Sequence, residues 1–84
     1  MDDENNFLGV VINFFDHVSV AAIKIEASLS VGDNIRIVGG ETDFEQKIES
    51  MQIHHDKVKT VKKGDEVGIR VKEKVRKGYK VYKV

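Results

Sequence analysis

The sequence predicts an all-β fold, a small closed structure of about six strands, and three observations lead there. The first is a phrase used three times. Val31-Gly32-Asp33-Asn34-Ile35-Arg36-Ile37 returns as Lys63-Gly64-Asp65-Glu66-Val67-Gly68-Ile69-Arg70-Val71, and more loosely as Lys77-Gly78-Tyr79-Lys80-Val81-Tyr82-Lys83-Val84. Gly accepts a positive φ and Asp bonds its neighbouring backbone, so the opening of each phrase is turn chemistry. The alternation that follows is the period-2 mark of a half-buried strand. The second observation is regular turn signals with no convincing helical stretch between them. The third is the absence of proline, which leaves every strand eligible for a central position.

The strands follow in order. Phe7 to Phe14 is rich in β-branched and aromatic residues and reads as the first. Asp16-His17 marks a turn, and Val18 to Glu26 is the second strand. Its apolar parity changes across Ala21-Ala22, which implies a bulge or burial on both faces. Asn34 to Val38 is the third, with Ile35 and Ile37 on one face, closed by a turn at Gly39-Gly40. Phe44 to His54 carries both periods: Phe44, Ile48 and Met51 fall at helical spacing, Met51 and Ile53 alternate. Its Ser and Ile content and flanking turns favour a strand, bulged near Ile48. Glu66 to Val71 and Tyr79 to Val84 are the last two. The structural turn residues are therefore Gly32, Asp33, Gly39, Gly64, Asp65 and Gly78.

At 84 residues the chain is one domain. A domain of this size buries roughly 60–65% of its unfolded surface, which leaves no room for a deep interlobe cleft. Residues 1–6 are acidic and read as a short disordered leader, residues 7–84 as the domain. The chain has no cysteine, so disulfides and thiolate metal sites are excluded. That composition favours a reducing, cytoplasmic setting. No apolar run reaches the roughly 18–20 residues of a membrane span.

A net charge of zero hides a segregation. Residues 1–50 hold 10 acidic and 3 basic groups, a balance of −7; residues 51–84 hold 4 and 11, a balance of +7. Two arrangements satisfy this pattern. One is a basic surface that meets phosphates. The other is solvated strand faces, with lysines guarding edges or pairing across strands with the acidic half.

Catalytic constellations are nearly absent. No Gly-x-Ser-x-Gly elbow and no phosphate-cradling loop ending in Lys-Ser/Thr is present, and no catalytic residue, metal or cofactor is assigned. His54-His55-Asp56 is the one cluster of potential metal ligands. Adjacent residues on a strand point to opposite faces, which opposes shared ligation unless a turn relaxes the geometry. Tyr79 and Tyr82 have opposite parity, so at most one is presented with the neighbouring lysines for base stacking, while one caps the core.

Beyond generic β pattern, Val31-Gly32-Asp33-Asn34-Ile35-Arg36-Ile37-Val38-Gly39 resembles a hairpin of the β-barrel second domain of translational GTPases such as elongation factor Tu and initiation factor 2. Ile48-Glu49-Ser50-Met51-Gln52-Ile53, Lys63-Gly64-Asp65-Glu66-Val67-Gly68-Ile69 and Val75-Arg76-Lys77-Gly78-Tyr79-Lys80-Val81 resemble three further strands of that domain, in the same order. With Thr42-Asp43-Phe44-Glu45-Gln46, the likeness is to short, stand-alone translation elongation factor-like proteins of prokaryotes. A similar barrel is appended to certain collagenase-like peptidases.

The resemblance implies a six-stranded Greek-key barrel. It does not carry GTP binding or hydrolysis, because the GTPase domain and its motifs are missing. Ser19-Val20-Ala21-Ala22-Ile23 stands where elongation factor Tu has Gly-Arg-Gly-Thr-Val, so the tRNA 3′-end pocket is not carried over either. The function expected is a non-catalytic module associating with RNA, tRNA or the ribosome. Lys72, Lys74, Arg76, Lys77, Lys80 and Lys83 would contact phosphates, with Tyr82 as a stacker. The alternative is a protein-interaction module docking on a separate GTPase or enzyme partner.

Overall fold

The computed structural model describes residues 6–84, so the expected leader lies, Asn6 apart, outside the described residues. Those residues form ten strands: β1 (Phe7–Phe15), β2 (Val20–Ile25), β3 (Leu29–Ser30), β4 (Asn34–Gly39), β5 (Thr42–Lys47), β6 (Met51–Ile53), β7 (Asp56–Val58), β8 (Thr60–Val61), β9 (Glu66–Arg70) and β10 (Lys80–Lys83). Eight of them make one sheet in the order β5-β4-β10-β1-β2-β9-β6-β7, and β3 pairs with β8 in a second. The pairings are antiparallel. The fold is a small all-β domain. Its backbone ladder ends at β5 on one side and β7 on the other, so the pairing does not return on itself as a closed barrel would.

Three turns are built alike. Gly32, Gly64 and Gly78 have φ of 98°, 98° and 93°. The N–H of the following residue (Asp33, Asp65, Tyr79) donates to the carbonyl three residues back, on Ser30, Lys62 and Arg76, at 3.1, 3.0 and 3.2 Å. That bond with a positive φ at the third position is the pattern of a type II turn, which demands glycine there. Each glycine N–H also donates to a buried residue's carbonyl: Ile48, Ile25 or Val11. The N–H of that same residue donates back to Asp33, Asp65 or Tyr79. Each turn is thus pinned to the core by a reciprocal pair. In the first two, the Asp carboxylate also accepts the N–H of Ser30 or Lys62 at 3.0 Å. Tyr79 has no such oxygen to offer.

The other hairpins use different chemistry. Gly40 has φ 52° and opens the two-residue β4–β5 turn, as a type II′ hairpin requires. Gly39 itself ends β4, and a Cβ there would fall on the Tyr79 ring. In the β6–β7 hairpin the two connecting residues are His54 and His55, with φ of 53° and 70°. Two positive φ values in a two-residue turn match type I′.

The β1–β2 hairpin departs from expectation. Val18 lies in the turn, not in a strand, because Ser19 adopts φ 57° and breaks the extended run before Val20. No bulge sits at Ala21-Ala22; β2 alternates regularly and its outward residues are half-buried. The irregularity falls on the partner strand, between Val11 and Asn13, with Ile12 as the extra residue. Near Ile48 the ladder stops rather than bulges: β5 ends at Lys47 and β6 begins at Met51.

The core is mainly aliphatic, with Phe44 and Met51 among its buried residues. Ile23, Ile25, Ile35, Ile37, Ile69 and Val81 are buried and come from the inward positions of β2, β4, β9 and β10. No polar or charged residue is buried among the described residues, so no ion must be desolvated to form this interior. Tyr79 is the core-capping tyrosine, packed against the cluster, while Tyr82 lies outside it with its ring edge-on to Phe7 at 5.8 Å.

Candidate functional site

The residues expected to contact phosphates do not form one continuous set with Tyr82. β10, with Lys80, Tyr82 and Lys83, lies between β1 and β4, both from the acidic half of the sequence. Lys83 Nζ is 3.8 Å from the Asp33 carboxylate. The Tyr82 ring is engaged by Phe7 and half-buried, so it is not a free stacking platform. Lys72, Lys74, Arg76 and Lys77 are exposed on the separate connection between β9 and β10. The strand order thus sets β10 among strands of the acidic half, while β9, β6 and β7, all from the basic half, stay together at one edge. His54 and His55 are exposed at a hairpin tip, and no group of three potential metal ligands gathers among the described residues.

What the fold does present is an apolar end on the β1–β2 hairpin. Of the five large hydrophobic side chains left exposed among the described residues, Ile12, Phe15 and Val18 belong to this one element, at 36%, 43% and 45% exposure. Three positions on one hairpin distinguish it from scattered surface apolar residues. Registry explains the arrangement. Phe14 faces Ala21 on the inward side, so Phe15, opposite Val20, faces out. Val20 continues across to Arg70, and the next outward row runs Asn13, Ala22, Gly68 and Gln52. Ala22 and Gly68 keep this floor low, and Val20 leans over Gly68: a Cβ on Gly68 would meet Val20 Cγ1 at 3.2 Å. An apolar hairpin end of this kind suits contact with a protein better than a small molecule.

Gln46 holds the same end of the fold from the opposite side of the sheet order. Its Nε2 donates to the Arg70 carbonyl and its Oε1 accepts the Lys72 N–H, both at 2.9 Å. One side-chain amide thereby supplies the donor and acceptor that a neighbouring strand would supply. The sequence reading missed Ile12, Phe15, Val18 and Gln46 as functional candidates. The apolar doublet Phe14-Phe15 was the available signal, since one of two adjacent strand residues must face outward.

Electrostatics add one feature. Asp43 on β5 accepts two hydrogen bonds from the Arg36 guanidinium, at 2.8 and 2.7 Å. Those bonds, opposed by slight desolvation and aided by the guanidinium charge, hold the Asp43 carboxyl below its ordinary 3.8.

No protein-family model matches the chain. It is 43% identical over 76 residues to an uncharacterized protease of Methanocaldococcus jannaschii, covering 89% of this chain and 19% of the relative. It is 35% identical over 82 residues to a collagenase of Porphyromonas gingivalis, covering 95% and 23%. The chain thus spans about a fifth of the length of the curated relatives it matches. Among solved structures it superposes on the C-terminal domain of a Geobacillus thermoleovorans protein described as a U32 peptidase, with TM-score 0.89 and 18% identity over 100% of this chain and 98% of that one. That likeness shows the fold. The relatives are named as a protease and collagenases, and not as translation factors. The assignment to translation elongation factor-like proteins, and with it the tRNA and ribosome association, is overturned.

Proposed function

We propose that this chain is a non-catalytic accessory β-domain that docks on an enzyme body of the peptidase class. The observation that carries this reading is the match of 89% of the chain to only 19% of a protease. In such a relative the matching segment shares its polypeptide with a body four times its length. A domain built that way needs a face to pack on its neighbour, and the Ile12, Phe15 and Val18 end is the face proposed. We read the sheet as a barrel whose seam is bridged by the Gln46 side chain instead of a backbone ladder. The cysteine-free composition fits a cytoplasmic setting.

The test uses the Methanocaldococcus jannaschii protease with its matching segment deleted. Mixed with this domain, the shortened protease should bind it at about 10 µM or tighter and gain thermal stability from it. Absence of binding, or peptidase activity in this domain by itself, overturns the reading.

A further inference from the structure

We propose that the surface met by the hairpin end is an apolar protein patch rimmed by carboxylates. This rests on the docking reading above and adds the chemistry of the partner.

The connection between β9 and β10 is fastened along the same hairpin. At one end the Val71 N–H donates to the Ser19 carbonyl at 2.8 Å. At the other, Gly78 N–H donates to the Val11 carbonyl and Val11 N–H to the Tyr79 carbonyl, both at 2.8 Å. Between these points Val75 is buried in the core and Gln46 holds the Lys72 N–H. The connection is therefore fixed beside β1, which ends at Phe15, and the turn that carries Val18. Its charged side chains have nowhere to go but outward: Lys72, Lys74, Arg76 and Lys77 are all exposed.

The charge of this end is lopsided although the chain is neutral. Residues 11–20 and 70–78 carry five basic groups, including Arg70, against two acidic ones, Asp16 and Glu73. Neither ion pair of the described residues, Arg36–Asp43 or Lys83–Asp33, draws on them. An apolar centre edged by unpaired cations is complementary to an apolar centre edged by carboxylates. Such a rim steers encounter and fixes orientation more than it adds affinity, and its contribution is screened by salt.

The experiment measures binding of the segment-deleted Methanocaldococcus jannaschii protease to three forms of the domain after ribonuclease treatment, at low and high salt. The forms are the wild type, the triple variant Lys74→Glu, Arg76→Glu, Lys77→Glu, and Phe15→Ser. The triple variant should weaken binding by about tenfold at low salt, chiefly through the association rate, and flatten the salt dependence. Thermal melts should coincide with wild type because the altered residues are exposed; if they do not, the neutral pair Lys74→Gln, Lys77→Gln gives the same test with a smaller change. If Phe15→Ser abolishes binding and charge reversal changes nothing, docking stands and the carboxylate rim is refuted. If the wild type does not bind, the docking reading falls and this inference with it. Binding that disappears with ribonuclease overturns a protein partner.

Discussion

Gln46 on β5 and Arg70 at the end of β9 lie at different places in the sheet order, yet the Gln46 amide donates to the Arg70 carbonyl at 2.9 Å. With the reciprocal bond from Lys72 N–H, this amide ties an edge strand to the strand that supports the apolar hairpin end. Gln46→Ala should cost about 1–2 kcal/mol, the net worth of two hydrogen bonds at a half-exposed site. In a domain of this size that lowers Tm by roughly 4–16 °C. Gln46→Glu should be worse than alanine near neutral pH, because a carboxylate facing the Arg70 carbonyl cannot donate. Thermal denaturation at pH 7 decides; equal melts for Gln46→Glu and wild type would mean the bridge contributes nothing.

The second prediction concerns Gly39 and Tyr79. Gly39→Ala would drive a methyl group into the Tyr79 ring that caps the core, at a cost of about 1–3 kcal/mol for overpacking. The Tyr79→Ser background should absorb the same substitution with little further loss. A double-mutant cycle by urea denaturation measures the coupling; simple additivity would separate the two residues.

At the β6–β7 tip, two histidines take left-handed backbone conformations that asparagine and glycine adopt more readily. The pair His54→Asn, His55→Gly should raise stability by about 1 kcal/mol. No change or a loss in chemical denaturation would mean that the histidine side chains make contributions that offset the backbone strain.

The Arg36–Asp43 pair gives a pH prediction. Hydrogen bonding from Arg36 lowers the folded-state pKa of Asp43, so its contribution is present above the unfolded value near 3.8 and is lost as pH falls through the lower folded value. Melts of wild type and Asp43→Asn taken from pH 5 to pH 2 should therefore converge at the acidic end. The carboxylate is exposed and the effect small. Curves separated by a constant gap down to pH 2 would contradict the assignment.

How much of this was legible in the sequence depends on range. The turns at Gly32, Gly64 and Gly78 are local devices written within four residues, so the repeated phrase exposes them. The long strands follow from alternation. β3 and β8 are two residues each, too short for any period to register. The His54–His55 turn carries no glycine to announce it, and Val18 looks like strand because its β-branched character says nothing of the φ at Ser19. Gln46 reaches a partner 24 residues away, which spacing cannot reveal. The apolar surface was hidden for a different reason. Phe14 and Phe15 look alike in sequence, and only the pairing of Phe14 with Ala21 decides which one is left outside. The charge segregation of the sequence did not reveal where the basic residues would stand, because β10 is threaded between two strands of the acidic half while β9, β6 and β7 stay together.

The central claim is that the Ile12, Phe15 and Val18 end is a docking face. The measurement that tests it most directly is the affinity of the double variant Phe15→Ser, Val18→Ser for the segment-deleted Methanocaldococcus jannaschii protease, beside that of the wild type. Both side chains are substantially exposed, so the variant should melt within about 2 °C of wild type. The account predicts that it binds at least about tenfold more weakly, as loss of a buried aromatic anchor would produce. Unchanged affinity with an unchanged melt would contradict it.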